Sequence, residues 1–412
     1  MSHPHHTRQL QHLGTTRTRS DRSFSSQVSQ TTIGHMAAAR GHKAATRVGV
    51  ELPRVIIAHD YLTQRGGAER VVLAMARAFP EAPIVTSLYQ ADTTFPEFRD
   101  HEVSTSVLQH SELLRRHHRL ALPLYAPVFS TMHTDADLVL CSTSGWAHGM
   151  PTSGRRLLYV HNTARWLYQV DDYLRNRSPA GRSVARALGT PLRRWDRQHG
   201  RSAEMILANS RTVRDRLARY WNVDAEVLYP PLGVDISAEQ EPMPNVESGY
   251  LLAVSRLVPH KRIDVLVSAM SQLPSYRLVV VGSGPEARTL RESAPSNCLF
   301  LEDVSDSRLR WIYANCTALL SAAVEDLGLA ALEAMAFGRP AVVLRAGGFL
   351  ETVLEGETGA FFDRQNAADL ASAVRELPSL GFEPRRIAAH AAHFDEASFA
   401  RKLQGYAARV LA

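Results

Sequence analysis

The chain has 412 residues, 45% of them hydrophobic and 21% charged, with three cysteines and a formal charge of +6. One core rarely fills that length, so two domains are expected; no apolar run is long enough to span a membrane, and Cys141, Cys298 and Cys316 have neither metal-ligand spacing nor a disulfide pattern. The charge excess lies wholly in residues 1–48, where seven Arg and Lys face the single acid Asp21, which argues against a nucleic-acid partner for the rest.

In chain order, residues 1–48 are rich in Ser, Thr, His, Gln and Arg and read as a disordered tail. The same acid-poor start also resembles an organelle transit peptide, and translation from Met36 is a third reading; no apolar segment of a secretory signal is present there. Order is expected from Arg54 to Asp60, a short apolar run that ends in polar residues as a buried parallel strand does. Gly66-Gly67 and a helical stretch from Ala68 to Phe79 follow, with Glu69 and Arg70 read as helix-surface residues. Further strands are expected at Ile84–Thr86, Leu138–Cys141, Leu157–Val160, Met205–Ala208 and Ala225–Tyr229. After the polar, Pro-containing stretch 236–248, a second series runs through Tyr250–Val254, Arg277–Val281, Cys298–Leu301, Ala318–Leu320 and Ala341–Leu344, and a helix spans roughly Glu396 to Ala412. Short apolar strands alternating with helical stretches predict an α/β fold of two doubly wound, Rossmann-like domains facing each other across a cleft, with ligands beyond the carboxyl ends of the strands. Cys141 and Cys316 sit in apolar runs as core thiols, which fits a reducing cytoplasm.

Chemistry concentrates in the second half. Glu325 and Glu333 are eight residues apart, which on one helix is two turns plus roughly 80°, so they would not share a face. The spacing instead predicts Glu325 in the loop after Ala318–Leu320 and Glu333 about one turn inside a helix that starts near Gly328, its positive end aimed at an anion such as a nucleotide diphosphate. Arg256 and Lys261 follow a strand directly, where fixed positive charge suits a diphosphate leaving group. Gly282 and Gly284 follow another, where backbone amides can approach phosphate.

These segments resemble the retaining glycosyltransferases of GT-B type, family four. The resemblance rests on Glu325, seven residues, Glu333, then Ala336-Phe-Gly338-Arg-Pro340, on Arg256 and Lys261, on Gly347-Gly348-Phe-Leu-Glu351 and on Gly356-Glu-Thr-Gly359, all in the family's order. In the first half it rests on His59-Asp60 with Gly66-Gly67 and on Tyr159-Val-His161-Asn-Thr-Ala-Arg165, wording similar to mannosyltransferases that build bacterial surface polysaccharides. It covers about residues 54–412, with departures at Ala322, Leu327 and Ala331 and a Glu302 where Gly is common.

The resemblance implies GT-B architecture: a tail 1–48, an acceptor domain 49–235, a linker 236–248, a nucleotide-sugar domain 249–390 and a C-terminal helix 391–412 packing back on the first domain. It implies that Glu325 lies against the donor sugar, Glu333 binds the ribose, Arg256 and Lys261 grip the donor phosphates and His161 faces the sugar. Asp60, Gly66, Gly67, Arg165, Gly282, Gly284, Leu329, Gly347, Gly348 and Glu351 are placed with the substrate-binding residues. No metal or other cofactor is implied; the co-substrate is a nucleotide-sugar, GDP-mannose before a UDP-sugar. Asp135-Ala-Asp137 only superficially matches the Asp-x-Asp of metal-dependent enzymes, since it precedes a strand instead of following one.

Residues 49–235 carry 23 basic against 19 acidic side chains, with one cluster at Arg115–Arg119 among leucines and another of twelve Arg between 175 and 219. That balance suits a glycan or lipid-linked acceptor and peripheral contact with the anionic cytoplasmic leaflet. Two rival readings share the architecture: a non-catalytic protein that binds nucleotide-sugar or glycan, and a sugar-nucleotide 2-epimerase, which would need a different set of carboxylates.

Overall fold

The computed structural model describes residues 53–169 and 179–412, so the expectations for the tail and for part of the Arg-rich 175–219 segment lie outside the described residues. Two all-parallel sheets organise the chain. The first has seven strands in the order β3-β2-β1-β4-β5-β6-β7. In chain order these are β1 (Val55–His59), β2 (Ile84–Thr86), β3 (Val103–Thr105), β4 (Leu138–Thr143), β5 (Arg155–Val160), β6 (Met205–Ala208) and β7 (Glu226–Val227). The second has six, in the order β10-β9-β8-β11-β12-β13. These are β8 (Tyr250–Val254), β9 (Leu278–Val281), β10 (Cys298–Leu301), β11 (Cys316–Ser321), β12 (Ala341–Leu344) and β13 (Gly359–Phe362). In both, strand order reverses beside the first strand, the switch point at which open α/β sheets bind ligands.

The central strands are continuous apolar runs because helices cover both of their faces. Ile57, Leu140 and Leu157 point to one cluster in the first sheet, and Ile56, Val139 and Leu158 to the other. The second sheet repeats this with Leu251 and Val280 on one side and Leu252 and Val279 on the opposite side. Cys141 and Cys316 are buried in these cores and Cys298 is half-buried.

Four helices frame the cleft or join the two halves. Helix α1 (Gly67–Ala78) opens directly on the Gly66-Gly67 turn and buries Val71, Val72, Met75 and Ala76, spaced to line one side of a helix. Helix α2 (Arg211–Trp221) is capped by Ser210, whose side chain accepts from the Val213 amide, and ends on Asn222 in the left-handed conformation. Helix α3 (Leu329–Ala336) starts at Gly328. Helix α4 (Glu396–Leu411) belongs to the end of the chain yet packs on the first sheet. Its stripe Phe399, Leu403, Ala407 and Val410 joins the cluster formed by α1 and β1. Gln404 donates to the Ala78 carbonyl at 2.7 Å and Tyr406 to Glu226 at 2.8 Å, so α4 straps the second half to the first.

Candidate active site

The side chains singled out by the sequence leave the carboxyl ends of parallel strands in both sheets. Glu325 stands in the loop between β11 and α3, and Glu333 lies one turn inside α3. Gly328 begins that helix at φ +92°, and a β-carbon there would stand 2.3 Å from the Phe349 ring, so only glycine makes this loop-to-helix corner. Both carboxylate oxygens of Glu325 accept from the Lys261 Nζ, at 2.6 and 2.7 Å. Lys261 is 18% and Glu325 19% exposed, so the ammonium is more enclosed than a lysine freely exposed in a cleft. Two of its three donors are occupied, leaving one for a ligand. Arg256, after β8, is exposed, and its guanidinium has no hydrogen bond or ion pair among the described residues. Its charge reaches Glu69 and His118 in the first half and His260 in the second, which places it at their junction.

Backbone closes the rest of this end. A β-carbon on Gly282 would meet the Ser255 carbonyl at 2.0 Å, and one on Gly284 the Leu257 carbonyl at 2.3 Å, so these turns pack directly on the loop after β8 that carries Arg256. The Gly348 amide donates to the Glu325 carbonyl at 2.8 Å, and a β-carbon on Gly347 would lie 2.4 Å from the same oxygen. The Gly347-Gly348 turn therefore braces the Glu325 loop from below. Across the cleft, Gly67 comes so close to Leu329 that a β-carbon would sit 3.0 Å from its Cδ1, which sets the N-terminus of α1 against that of α3. Two positive helix ends thus meet near Arg256 and Lys261.

Glu333 accepts a 2.6 Å hydrogen bond from the Tyr313 hydroxyl, and burial raises its pKa against the pull of Arg70. Its other oxygen faces Gly233, where a β-carbon would stand 2.6 Å away. His161 follows β5 and is buried; its Nε2 shares a 2.7 Å hydrogen bond with the Ser142 hydroxyl, which also meets His59 Nδ1 at 3.0 Å. Burial first, then His59, drives the His161 pKa down to about 3, so its imidazole is neutral in ordinary buffers. No hydrogen bond occupies His161 Nδ1 among the described residues. His260 is lowered to about 4 by burial and by Arg165, Lys261 and Arg256, a measure of how positive this end of the cleft is.

Three residues grouped with the substrate-binding set are engaged by protein. Asp60 is buried and accepts from the amides of Ser144, Trp146 and Ala147 at 2.6, 3.1 and 2.7 Å and from the Thr143 hydroxyl at 3.1 Å. It shapes the loop after β4. Arg165 donates to Asp326 at 2.6 Å. Glu351 accepts from the Arg211 and Thr212 amides at 2.7 and 2.8 Å, from the Thr212 hydroxyl at 2.9 Å and from Tyr229 at 3.1 Å, and so caps α2 of the opposite half.

Glu69 departs from the sequence expectation of a helix-surface residue. It is 1% exposed, and its Oε2 has no hydrogen-bond partner among the described residues. The reason is the turn before it: a β-carbon on Gly66 would lie 2.5 Å from Oε2, so the glycine leaves the space into which this third helical residue folds back. Burial raises its pKa to about 7. Arg70 also turns inward, bonding the Gly233 carbonyl. Asp326 and Arg216 were not singled out from the sequence either, although Asp326 adjoins Glu325. No periodicity reports that Arg216 reaches a carboxylate 110 residues away.

Comparison with known proteins gives two adjoining matches. Residues 65–238 match the family described as Glycosyltransferase Family 4, and residues 237–394 the one described as Glycosyl transferases group 1. A GDP-mannose-dependent alpha-(1-6)-phosphatidylinositol monomannoside mannosyltransferase of Mycolicibacterium smegmatis is 30% identical over 220 residues, 47% of this chain and 57% of that protein. A D-inositol 3-phosphate glycosyltransferase of Mycobacteroides abscessus is 29% identical over 51% of this chain and 53% of its own length. The match thus spans little more than half the length of these curated relatives. Among solved structures, Anabaena HepE in complex with UDP superimposes with a TM-score of 0.63 at 18% identity, over 86% of this chain and all of that one. Sucrose-phosphate synthase from Thermosynechococcus elongatus does so with a TM-score of 0.63 at 17% identity, over 86% and 98% of the two chains. At such identities the likeness is one of fold.

Proposed function

The chain belongs to the GT-B glycosyltransferases of family four and group 1, and from that premise we propose that it moves a hexose from a nucleotide-sugar to a glycan or lipid-linked acceptor. The observation that carries this reading is the Lys261–Glu325 pair beside Arg256, where two helix N-termini meet at the cleft between the sheets. The bond from the anomeric carbon to the diphosphate breaks as a bond to the acceptor oxygen forms on the same face. The acceptor's proton passes to the departing phosphate oxygen, so configuration is retained and no covalent nucleophile is needed. Arg256 and the remaining N–H of Lys261 offset the charge that develops on the diphosphate. Glu325 stands at the sugar, Glu333 at the ribose, and neutral His161 offers the sugar a hydrogen-bonding Nδ1. Asp60, Arg165 and Glu351 hold the loops and helices that frame these groups.

GDP-mannose is the favoured donor because the name of the 30% identical Mycolicibacterium smegmatis relative carries it. A lipid-linked acceptor at an anionic inner leaflet is supported by Val107, Leu113, Leu120 and Leu124, which are 66%, 59%, 56% and 41% exposed beside Arg116 and Arg119. The contact proposed is peripheral; among the described residues no helix is long and apolar enough to cross a membrane. The reaction proposed uses only this chain's side chains and backbone and needs no metal.

Incubation with isotope-labelled GDP-mannose and a panel of UDP- and ADP-sugars, with and without lipid extract, tests the reading. Label moving from nucleotide to acceptor supports it. Binding without turnover points to a binding protein, and an altered sugar still joined to nucleotide points to the epimerase; either outcome overturns it.

A further inference from the structure

Two neighbouring carboxylates in the loop after β11 are held by opposite halves of the molecule. Glu325 is gripped by Lys261, on the same half. Asp326, the next residue, accepts from Arg165, which follows β5, at 2.6 Å and from Arg216 on α2. Arg216 also donates to Asn162, the residue after His161, at 2.9 Å. The three ion-paired side chains are 21%, 20% and 16% exposed, so they are partly withdrawn from water, where geometry and pairing matter more than on an open surface. Burial opposes ionisation of Asp326, yet Arg165 and Arg216 together hold its carboxyl below the ordinary value.

A second carboxylate of the same half takes hold of the same helix. Glu351 caps α2 through the Arg211 and Thr212 amides. Thr212 and Arg216 are four residues apart and lie on one face of α2. Helix α2 is therefore held at its tip by Glu351 and one turn further on by Asp326. The Gly348 amide, bonded to the Glu325 carbonyl, ties the two grips together.

Resting on the transfer reading above, we infer that Asp326 is a positioning residue: its grip on Arg165 and Arg216 latches the two halves closed and sets where Glu325 and Lys261 stand during transfer. Asp326 itself does not touch the sugar. Its role is to make closure of the cleft and alignment of the donor-site pair one event.

The test compares full-length wild type with Asp326→Asn and Arg216→Gln, the second leaving Asp326 paired with Arg165 in case the first fails to fold. Three quantities are read: kcat for transfer from GDP-mannose, the Kd for GDP alone, and the radius of gyration without ligand by X-ray scattering. Misplaced catalytic groups cost on the order of 100-fold in turnover, so kcat should fall toward that loss while the Kd for GDP moves less than about threefold. The radius of gyration should rise as the halves part. Folded variants that keep kcat within about twofold and superimposable scattering curves overturn the inference. A merely structural Asp326 would lower the melting temperature and leave kcat per folded molecule intact, which also overturns it. Should the wild type transfer no sugar, the activity reading falls, and scattering alone decides: a wider Asp326→Asn protein supports the latch, an unchanged one overturns it.

Discussion

Glu69 is buried in the first turn of α1. A glutamate three positions into a helix ordinarily faces water, but Gly66 has no side chain to keep it out, and it is buried with one oxygen unpartnered. Asp60 adds like charge and Arg256 opposite charge, and the carboxyl titrates near pH 7 in the fold against an ordinary 4.5. A carboxyl with a raised folded pKa contributes stability below its ordinary value, and that contribution is lost as pH rises through about 7. Glu69→Gln should therefore stabilise the protein at pH 8 by up to about 3 kcal/mol and much less at pH 5, read by urea unfolding at the two pH values. An equal effect at both would show that Glu69 does not change its protonation state between them. Lys261 makes the opposite prediction: Lys261→Ala should cut turnover about 10²–10³-fold, as the loss of fixed charge at a developing anion does. Its thermal unfolding, followed by circular dichroism, should move by only a few degrees because Glu325 keeps partial access to water. Of these candidate site residues, Glu325, Arg256 and Lys261 lie where the sequence predicts, in loops after apolar strands, and Glu333 lies one turn inside the helix that follows Glu325. Glu69, Asp326 and Arg216 were not legible in the sequence, since their settings depend on a missing β-carbon or on a partner far away in sequence.

Among the elements, central strands such as Ile56–Ala58 and Val279–Val281 were readable as unbroken apolar runs. The strands β3 and β13 were not: Val103-Ser-Thr105 is short and half-exposed at one sheet edge, and Gly359-Ala-Phe-Phe362 begins with glycine at the other. Neither shows the periodicity that marks a strand; pairing with β2 and β12 makes them strands. Helix α4 is readable as a helix, and the family resemblance implies that it packs on the first half; which residues of α1 and β1 its apolar stripe meets is a tertiary fact. Leu403 is fully buried against the first sheet, so Leu403→Ala should cost about 2–5 kcal/mol in urea unfolding. A cost under about 1 kcal/mol would mean that α4 is not a firm part of the first half's core. At the start of α3, Gly328→Ala combines a left-handed φ with a collision against Phe349, so it should both destabilise the fold and weaken GDP binding measured by calorimetry. Binding as tight as wild type would separate that corner from the donor site.

At the scale of the whole molecule, two sheets with reversed strand order present their carboxyl ends to a common cleft, α4 straps one half to the other, and α2 is held by Asp326 and Glu351. The first half also presents leucines and arginines side by side at Leu113–Leu124, a surface suited to an anionic bilayer. Flotation with vesicles containing anionic lipid should retain the wild type at low salt and release it as salt rises. Leu113→Ser with Leu120→Ser should lose most of that binding without losing transfer to a soluble acceptor; binding unchanged by those substitutions would place the membrane contact elsewhere. Retention of configuration at this cleft is what the proposed transfer requires. The most direct measurement is nuclear magnetic resonance of the product formed from GDP-mannose labelled at its anomeric carbon, with lipid extract as acceptor. A retaining transfer gives an α-linked mannose that does not form with Lys261→Ala; a β-linked product, or equal product from that variant, rules the transfer reading out.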